Sequence, residues 1–283
     1  MAVPLTMRVE EPDALEQLEI DLLLEAIYQQ HGFDFRSYAR SSLRRRVRAV
    51  MAAESLTTVS GLMARMLHDG ACLDRLLLGL SVNVSAMFRD PGFFLAFRRH
   101  AVPLLRTYPF IRIWQAGCST GEEVYSLAIL LQEEGLYDRC RIYATDMNEV
   151  VLRKARSGIF SIDVMQKYNA NYGASGGTGE LSDYYTAAYD HVILRQSLSD
   201  RVVFAQHNLA TDGVFNEFNV ILCRNVMIYF TPPLQARVHD LFARSFATFG
   251  LLGIGSHESL PLQPGAQEYE PLVPGEKLFR RGH

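Results

Sequence analysis

The sequence predicts an α/β fold: an open sheet flanked by helices, preceded by an all-helical amino-terminal domain and interrupted by a small antiparallel β-insertion. Three observations carry that reading. Residues from about Asp13 to Leu80 place apolar side chains at helical spacing throughout. Ile111 to Ser126 reads as a buried strand, a small-residue turn and the opening of a helix, and a second strand, Arg141 to Thr145, follows it. Between Ser157 and Tyr189 the alternation of strand and helix breaks into a polar, aromatic stretch.

In chain order, Leu15, Leu18, Leu22, Leu23 and Ile27 mark a first helix, Leu43, Val47, Val50 and Met51 a second, and Leu62, Met66 and Leu67 a third. The second is crowded with Arg36, Arg40, Arg44, Arg45, Arg46 and Arg48, with no acidic residue between Arg36 and Arg48. Arg44, Arg45 and Arg48 are expected beside and away from the apolar stripe, as a local basic face. Such a face is either simply solvated or a dock for an acidic partner, and Arg44, Arg45, Arg46 and Arg48 are the candidate substrate-binding residues. No aromatic interleaving points to nucleic acid. Residues 1–80 form the helical domain in this reading, 81–100 a linker and connecting helix, and 101–283 the α/β domain.

The turn after Ile111 to Ala116 carries Gly117 and Gly121, which permit close backbone approach, and Asp146 closes the next strand where a ribose would lie. The spacing is Gly-x-x-x-Gly followed by Glu122 and Glu123, not the Gly-x-Gly-x-x-Gly that seats a pyrophosphate on a helix start. Two acids there argue against a dinucleotide and suit a ligand with a ribose and a positive charge, as S-adenosylmethionine has; the alternative is ordinary first-turn helix charge.

A short helix from Glu149 to Arg156 leads into an inserted excursion, about 161–204, of small antiparallel strands or of surface loop, with a flexible run from Gly173 to Gly179. Asn208-Leu209 and Phe218 to Asn225 restore the sheet, the latter ending with Arg224 and Asn225 at the crevice. His207 is expected to be structural, and Tyr229 to be either a core aromatic or a functional one. Leu234 to Phe249 reads as a helix, and Leu251 to Ser256 with Leu278 to Arg280 as closing strands.

The 283 residues are 48% hydrophobic with a net charge of −3, so attraction to nucleic acid or membrane would have to be local. Cys72, Cys118, Cys140 and Cys223 lack metal-ligand spacing and suit a reducing compartment, so no metal is expected. Met1 to Leu24 is not a signal peptide and there is no apolar run long enough to span a bilayer; a cytoplasmic location without membrane insertion is expected.

Several longer motifs remain: Asn83-Val-Ser-x-x-Phe-Arg-Asp-Pro91, Ala-Gly-Cys-Ser-Thr-Gly-Glu-Glu-x-Tyr-Ser126, Ala-Thr-Asp146, Asn208-Leu209, Cys-Arg-Asn-Val-Met-Ile-Tyr-Phe230 and Gly-x-His-Glu-Ser-Leu260. Together they resemble the CheR family of S-adenosylmethionine-dependent protein-glutamate O-methyltransferases that modify chemotaxis receptors. The resemblance implies a class I (Rossmann-like) methyltransferase fold with a small antiparallel β-subdomain. It implies S-adenosyl-L-methionine as cofactor, glutamates on acidic helices of methyl-accepting chemotaxis receptors as acceptor, and a monomer. Beside Gly117 of the turn, the motifs assign cofactor contacts to Asn83, Ser85, Arg89, one of Glu122 or Glu123, Asp146, Asn208, Leu209, Arg224 and Asn225, with Arg89 and Tyr229 nearest the transferred methyl. The chain departs from the family pattern at Ser85-Ala-Met-Phe-Arg89, where Thr-x-Phe-Phe-Arg is usual, and at Val124, where proline is usual. A cofactor-sensing module without turnover, and a methyltransferase acting on some other protein, are the alternatives.

Overall fold

The computed structural model describes residues 12–81, 85–260 and 269–282. The chain divides into two compact units, Met1–Val82 and Asn83–His283.

In the first unit the described residues form helices α1 (Pro12–His31), α2 (Arg40–Ala53), α3 (Val59–His68) and α4 (Gly70–Leu80). Thr58 and Asp69 start α3 and α4 by accepting the N–H of Gly61 and Ala71 at 3.1 and 2.9 Å. The core joins Ile20, Leu23, Leu24 and Ile27 of α1 to Leu43 and Val47 of α2 and to Leu62, Leu76 and Leu80. This revises the expected phase of α1. Leu15, Leu18 and Leu22 are about half exposed. Leucines lie around most of the circumference of α1, so period alone does not choose the buried face; packing against α2 and α3 does.

The expected basic face is revised as well. Arg46 is buried and donates to the carbonyl oxygen of Leu80. Arg44 is ion-paired with Asp13 and Glu16, and Arg48 with Glu16, all across to α1. Of the four candidate substrate-binding arginines, Arg45 alone is exposed without a described ion pair. Acidic residues of the preceding helix, not of α2 itself, neutralise this surface.

In the second unit, helices α5 (Pro91–Ala96) and α6 (Val102–Leu105) precede strand β1 (Ile111–Ala116). Then follow α7 (Glu122–Glu133), β2 (Cys140–Asp146), α8 (Glu149–Ser157), β3 (Ile159–Ser161), α9 (Met165–Ala174), β4 (Tyr185–Ala188) and β5 (His191–Leu194). The chain closes with β6 (Val202–Gln206), β7 (Phe218–Cys223), α10 (Pro232–Ser245), β8 (Phe246–Ile254), β9 (Tyr269–Pro271) and β10 (Leu278–Arg281). The main sheet runs β6-β2-β1-β7-β8-β10-β9. From β6 to β8 the pairings are parallel, and β10 lies antiparallel between β8 and β9. This is the expected class I methyltransferase arrangement. The chain leaves β1 toward β2 and later returns on its other side as β7, so β1 sits at the topological switch point, where open α/β sheets bind ligands. Every residue of α7 from Glu122 to Leu131 is buried, as its nearly uninterrupted apolar sequence requires.

β3, β5 and β4 form the separate antiparallel sheet. The excursion is shorter than expected: β6 belongs to the main sheet, and α9 fills the middle of the insertion. The run Gly173 to Gly179 is not a free loop. It wraps Tyr172, whose ring would lie 2.4 Å from a Cβ on Gly177, and whose hydroxyl bonds Glu133 and accepts the N–H of Gly179 at 3.0 Å. Residues 85–100, expected as a connector, are packed into the second unit, with Met87, Phe88, Phe94 and Phe97 fully buried.

Candidate active site

Strand register brings the expected residues to one edge. Ala116 pairs with Thr145, Gln115 with Leu222, Asp146 with Gln206 and Cys223 with Ile254, so Gly117, Asp146, Asn208, Arg224 and Gly255 all leave the sheet at its carboxyl edge. Gly117 has φ +72°, and a Cβ there would meet Val226 at 2.5 Å, which is why the turn needs glycine. The N–H groups of Gly117 and Cys118 both donate to the carbonyl of Thr145 at 2.8 Å. Ser119 N–H then donates to one oxygen of Asp146 and Asn148 N–H to the other, each at 3.0 Å. Burial raises the pKa of Asp146, while these backbone donors oppose the rise.

The two glutamates that open α7 separate cleanly. Glu123 accepts from Gln115 Nε2 at 2.6 Å and pairs with Arg224 at 2.6 Å. Glu122 is buried, takes hydrogen bonds from the hydroxyls of Thr120 and Ser85, and has no cationic partner among the described residues. Burial pushes its pKa up, with the two hydroxyls pulling it back. A buried carboxylate without a counter-charge is costly. A cationic ligand would relieve that cost.

Arg224 is a hub. Its side chain is 1% exposed and reaches Glu123, Asp90 at 2.9 Å and the carbonyl of Arg89 at 3.2 Å, with the guanidinium 4.1 Å from the centre of the Phe93 ring. Its two terminal nitrogens are thus committed to protein partners, while its Nε is buried without a partner among the described residues. The segment it holds is strained: Phe88 and Asp90, flanking Arg89, have φ +50° and +54°. Phe88 N–H donates to Ser126 Oγ at 2.8 Å, and Asn171 of α9 donates to the carbonyl of Met87 at 3.0 Å. The half-buried side chain of Arg89 therefore springs from a turn fixed at three successive residues.

Asn225, half-buried, has φ +59°, and both polar atoms of its amide are buried without a partner among the described residues. The same holds for Asn208 Nδ2 and Ser119 Oγ. Leu209 is buried beside Asn208, and Tyr229 is half-buried in a short 3-10 turn, Met227–Tyr229. His207 bonds the carbonyl of Gly213 and sits edge-on to Trp114, a structural place. Asn83 lies outside the described residues. Sequence reasoning missed Ser119, Ser126, Asn171 and Glu258; Ser119 and Ser126 had a signal in the Ala-Gly-Cys-Ser-Thr-Gly-Glu-Glu-x-Tyr-Ser126 run and Glu258 in the Gly-x-His-Glu-Ser-Leu260 run, whereas Asn171 had none.

Residues 83–274 match the family described as CheR methyltransferase, SAM binding domain, and residues 18–81 match its all-alpha domain. A Pseudomonas putida protein called Cher3 is 49% identical over 93% of this chain and 97% of its own length. A chemotaxis protein methyltransferase of Salmonella typhimurium is 30% identical over 87% of this chain and 85% of its own, and one of Listeria innocua is 28% identical over 87% and 92%.

Proposed function

Because the chain belongs to the CheR methyltransferase family, we propose that it transfers the methyl group of S-adenosylmethionine to glutamate side chains of methyl-accepting chemotaxis receptors, forming glutamyl methyl esters. The observation that carries this reading is the pairing, at one sheet edge, of a buried anion with several buried polar atoms, the anion lacking a cation and the atoms lacking partners among the described residues. The residues fit that cofactor: Glu122 faces its positive charge, Asp146 takes ribose hydroxyls, and Ser85, Ser119, Asn208, Leu209 and Asn225 line the rest, with Gly117 giving close backbone approach. Asn83 joins them by resemblance to the family.

When bound, S-adenosylmethionine supplies an activated methyl on a sulfonium. The chain's own task is to bring an acceptor carboxylate in line and to keep water away, because two opposite charges vanish on transfer and water would stabilise both. Arg89, held in its strained turn, orients the incoming carboxylate, and Tyr229 positions beside it. A glutamate with an ordinary pKa of about 4.3 is already ionised at neutral pH, so no general base is required.

The acceptor is an acidic helix of a receptor signalling domain, met by α2 on a monomer in the cytoplasm. Arg45 is open for it, and Arg44 and Arg48 exchange their α1 carboxylates for those of the partner. Among the described residues no helix is long and apolar enough to cross a membrane.

The test is transfer from methyl-labelled cofactor to receptor signalling fragments, with mass spectrometry of base-labile esters. Arg89→Ala should slow single-turnover transfer about a hundredfold with little change in melting temperature, since it removes a positioning group at the reacting atoms. Label on lysine, on nucleic acid or on small metabolites would reject the acceptor.

A further inference from the structure

Glu258 is 4% exposed, and its carboxylate is surrounded by main chain. One oxygen accepts the N–H groups of Val226, Met227 and Ile228 at 2.9, 2.7 and 3.3 Å. The other accepts those of Asn225 at 3.1 Å and of Gly255. Donors from two loops thus converge on one side chain and fill the acceptor sites that an ionised carboxylate offers. An amide in its place would turn an NH2 group toward N–H donors.

The segment gripped in this way carries the two side chains of greatest interest beyond β7. Asn225 adopts a left-handed conformation that a non-glycine residue keeps only when its surroundings enforce it. Tyr229 follows on the 3-10 turn whose first N–H groups Glu258 accepts. Gly255 completes the fit from the other side: a Cβ there would lie 2.7 Å from Asn225 N, 2.8 Å from a Glu258 oxygen and 2.9 Å from Asn225 Nδ2.

We infer that Glu258 is a positioning residue of the methyl-transfer site, its carboxylate setting the main chain from Asn225 to Ile228 so that Asn225 and Tyr229 are preset before ligand arrives. This deepens the proposed function and rests on it for the role of Tyr229; the role of Asn225 is read through cofactor affinity alone.

The experiment compares Glu258→Gln and Gly255→Ala in the full chain, each alone and each combined with Tyr229→Phe or Asn225→Ala. S-adenosylhomocysteine affinity and stoichiometry come from calorimetry, and single-turnover transfer is normalised to that stoichiometry. The expected result is a rate per binding site lower by about tenfold or more in Glu258→Gln, with Tyr229→Phe adding little in that background. Asn225→Ala should likewise add little to the loss of affinity, and Gly255→Ala, which keeps the carboxylate, should reproduce both patterns. Effects that simply multiply, or a normal rate and affinity per site in a protein that merely melts earlier, would overturn the inference. If Glu258→Gln does not fold, Gly255→Ala decides. An unmodified protein that binds cofactor but transfers no methyl fails the functional reading alone, and the Asn225→Ala affinity comparison still decides for or against Glu258.

Discussion

On α2, Arg44 and Arg48 face solvent and hold carboxylates of α1, whereas at the end of β7 Arg224 is closed off between Glu123, Asp90 and the Phe93 ring. Both sets were expected to touch something outside the chain. The difference between them is desolvation. Arg48 and Asp13, 58% and 72% exposed, lose little when they change partners, because water screens them before and after, while Glu16 between the two arginines is 17% exposed. Arg224 cannot give up Glu123, since parting them leaves charges stranded in the interior, whereas Asp90 is 40% exposed. Exposed arginines can therefore serve recognition, while the buried one serves construction.

The largest expected effect breaks the buried side. Arg224→Ala should destabilise the second unit by about 3–5 kcal/mol, measured by denaturant unfolding, because it leaves Glu123 unpaired. Arg224→Lys should not restore it, a point charge being unable to reach Glu123, Asp90 and the Arg89 carbonyl together. Wild-type stability in Arg224→Ala would place Arg224 with the exchangeable arginines.

A second test uses His239, 5% exposed in α10, whose pKa burial lowers from 6.5 to about 4 against a backbone hydrogen bond at Ser259. The unfolded chain then takes up the proton more readily than the folded one, so the contribution is complete above the unfolded value and declines as pH falls from about 6.5 toward about 4. The loss should reach about 2 kcal/mol at pH 5. His239→Gln should flatten that slope; an unchanged acid dependence would show that another group governs it.

The smallest effect belongs to the exposed side. Reversing Arg44 and Arg48 to Glu should raise KM for receptor fragments about two- to fivefold, more at low salt, with cofactor affinity intact. A fall in cofactor affinity instead would mean that α2 supports the crevice.

The parts of this molecule legible in the sequence are those set by neighbours along the chain. The glycine turn, Asp146 at the end of β2 and the parallel strands follow from local spacing. What was not legible depends on distant partners. Glu122 and Glu123 are adjacent, yet successive helical positions point in different directions, and the arginine that claims Glu123 lies 101 residues away. Leucines around α1 hid its buried face until α2 and α3 packed on it. The glycines after Tyr172 read as flexible because the ring they enclose is identifiable only from the fold, and the motif that holds Glu258 did not disclose its role because four of its five donors come from a loop about thirty residues earlier.

The most direct measurement is calorimetric titration of S-adenosylmethionine into the wild-type protein, Glu122→Gln and Asp146→Ala at neutral pH, with melting temperatures alongside. The wild type should bind at one site, and each substitution should weaken binding by about 1.5–3 kcal/mol, the range for a hydrogen-bonded or paired charge. Glu122→Gln should melt no lower than the wild type, since it removes a buried charge with no cation beside it among the described residues. Affinity should also fall on acidification, as the raised pKa of Glu122 brings its protonation closer to neutral pH. Undiminished affinity in Glu122→Gln, or no binding heat in the wild type, would contradict the account.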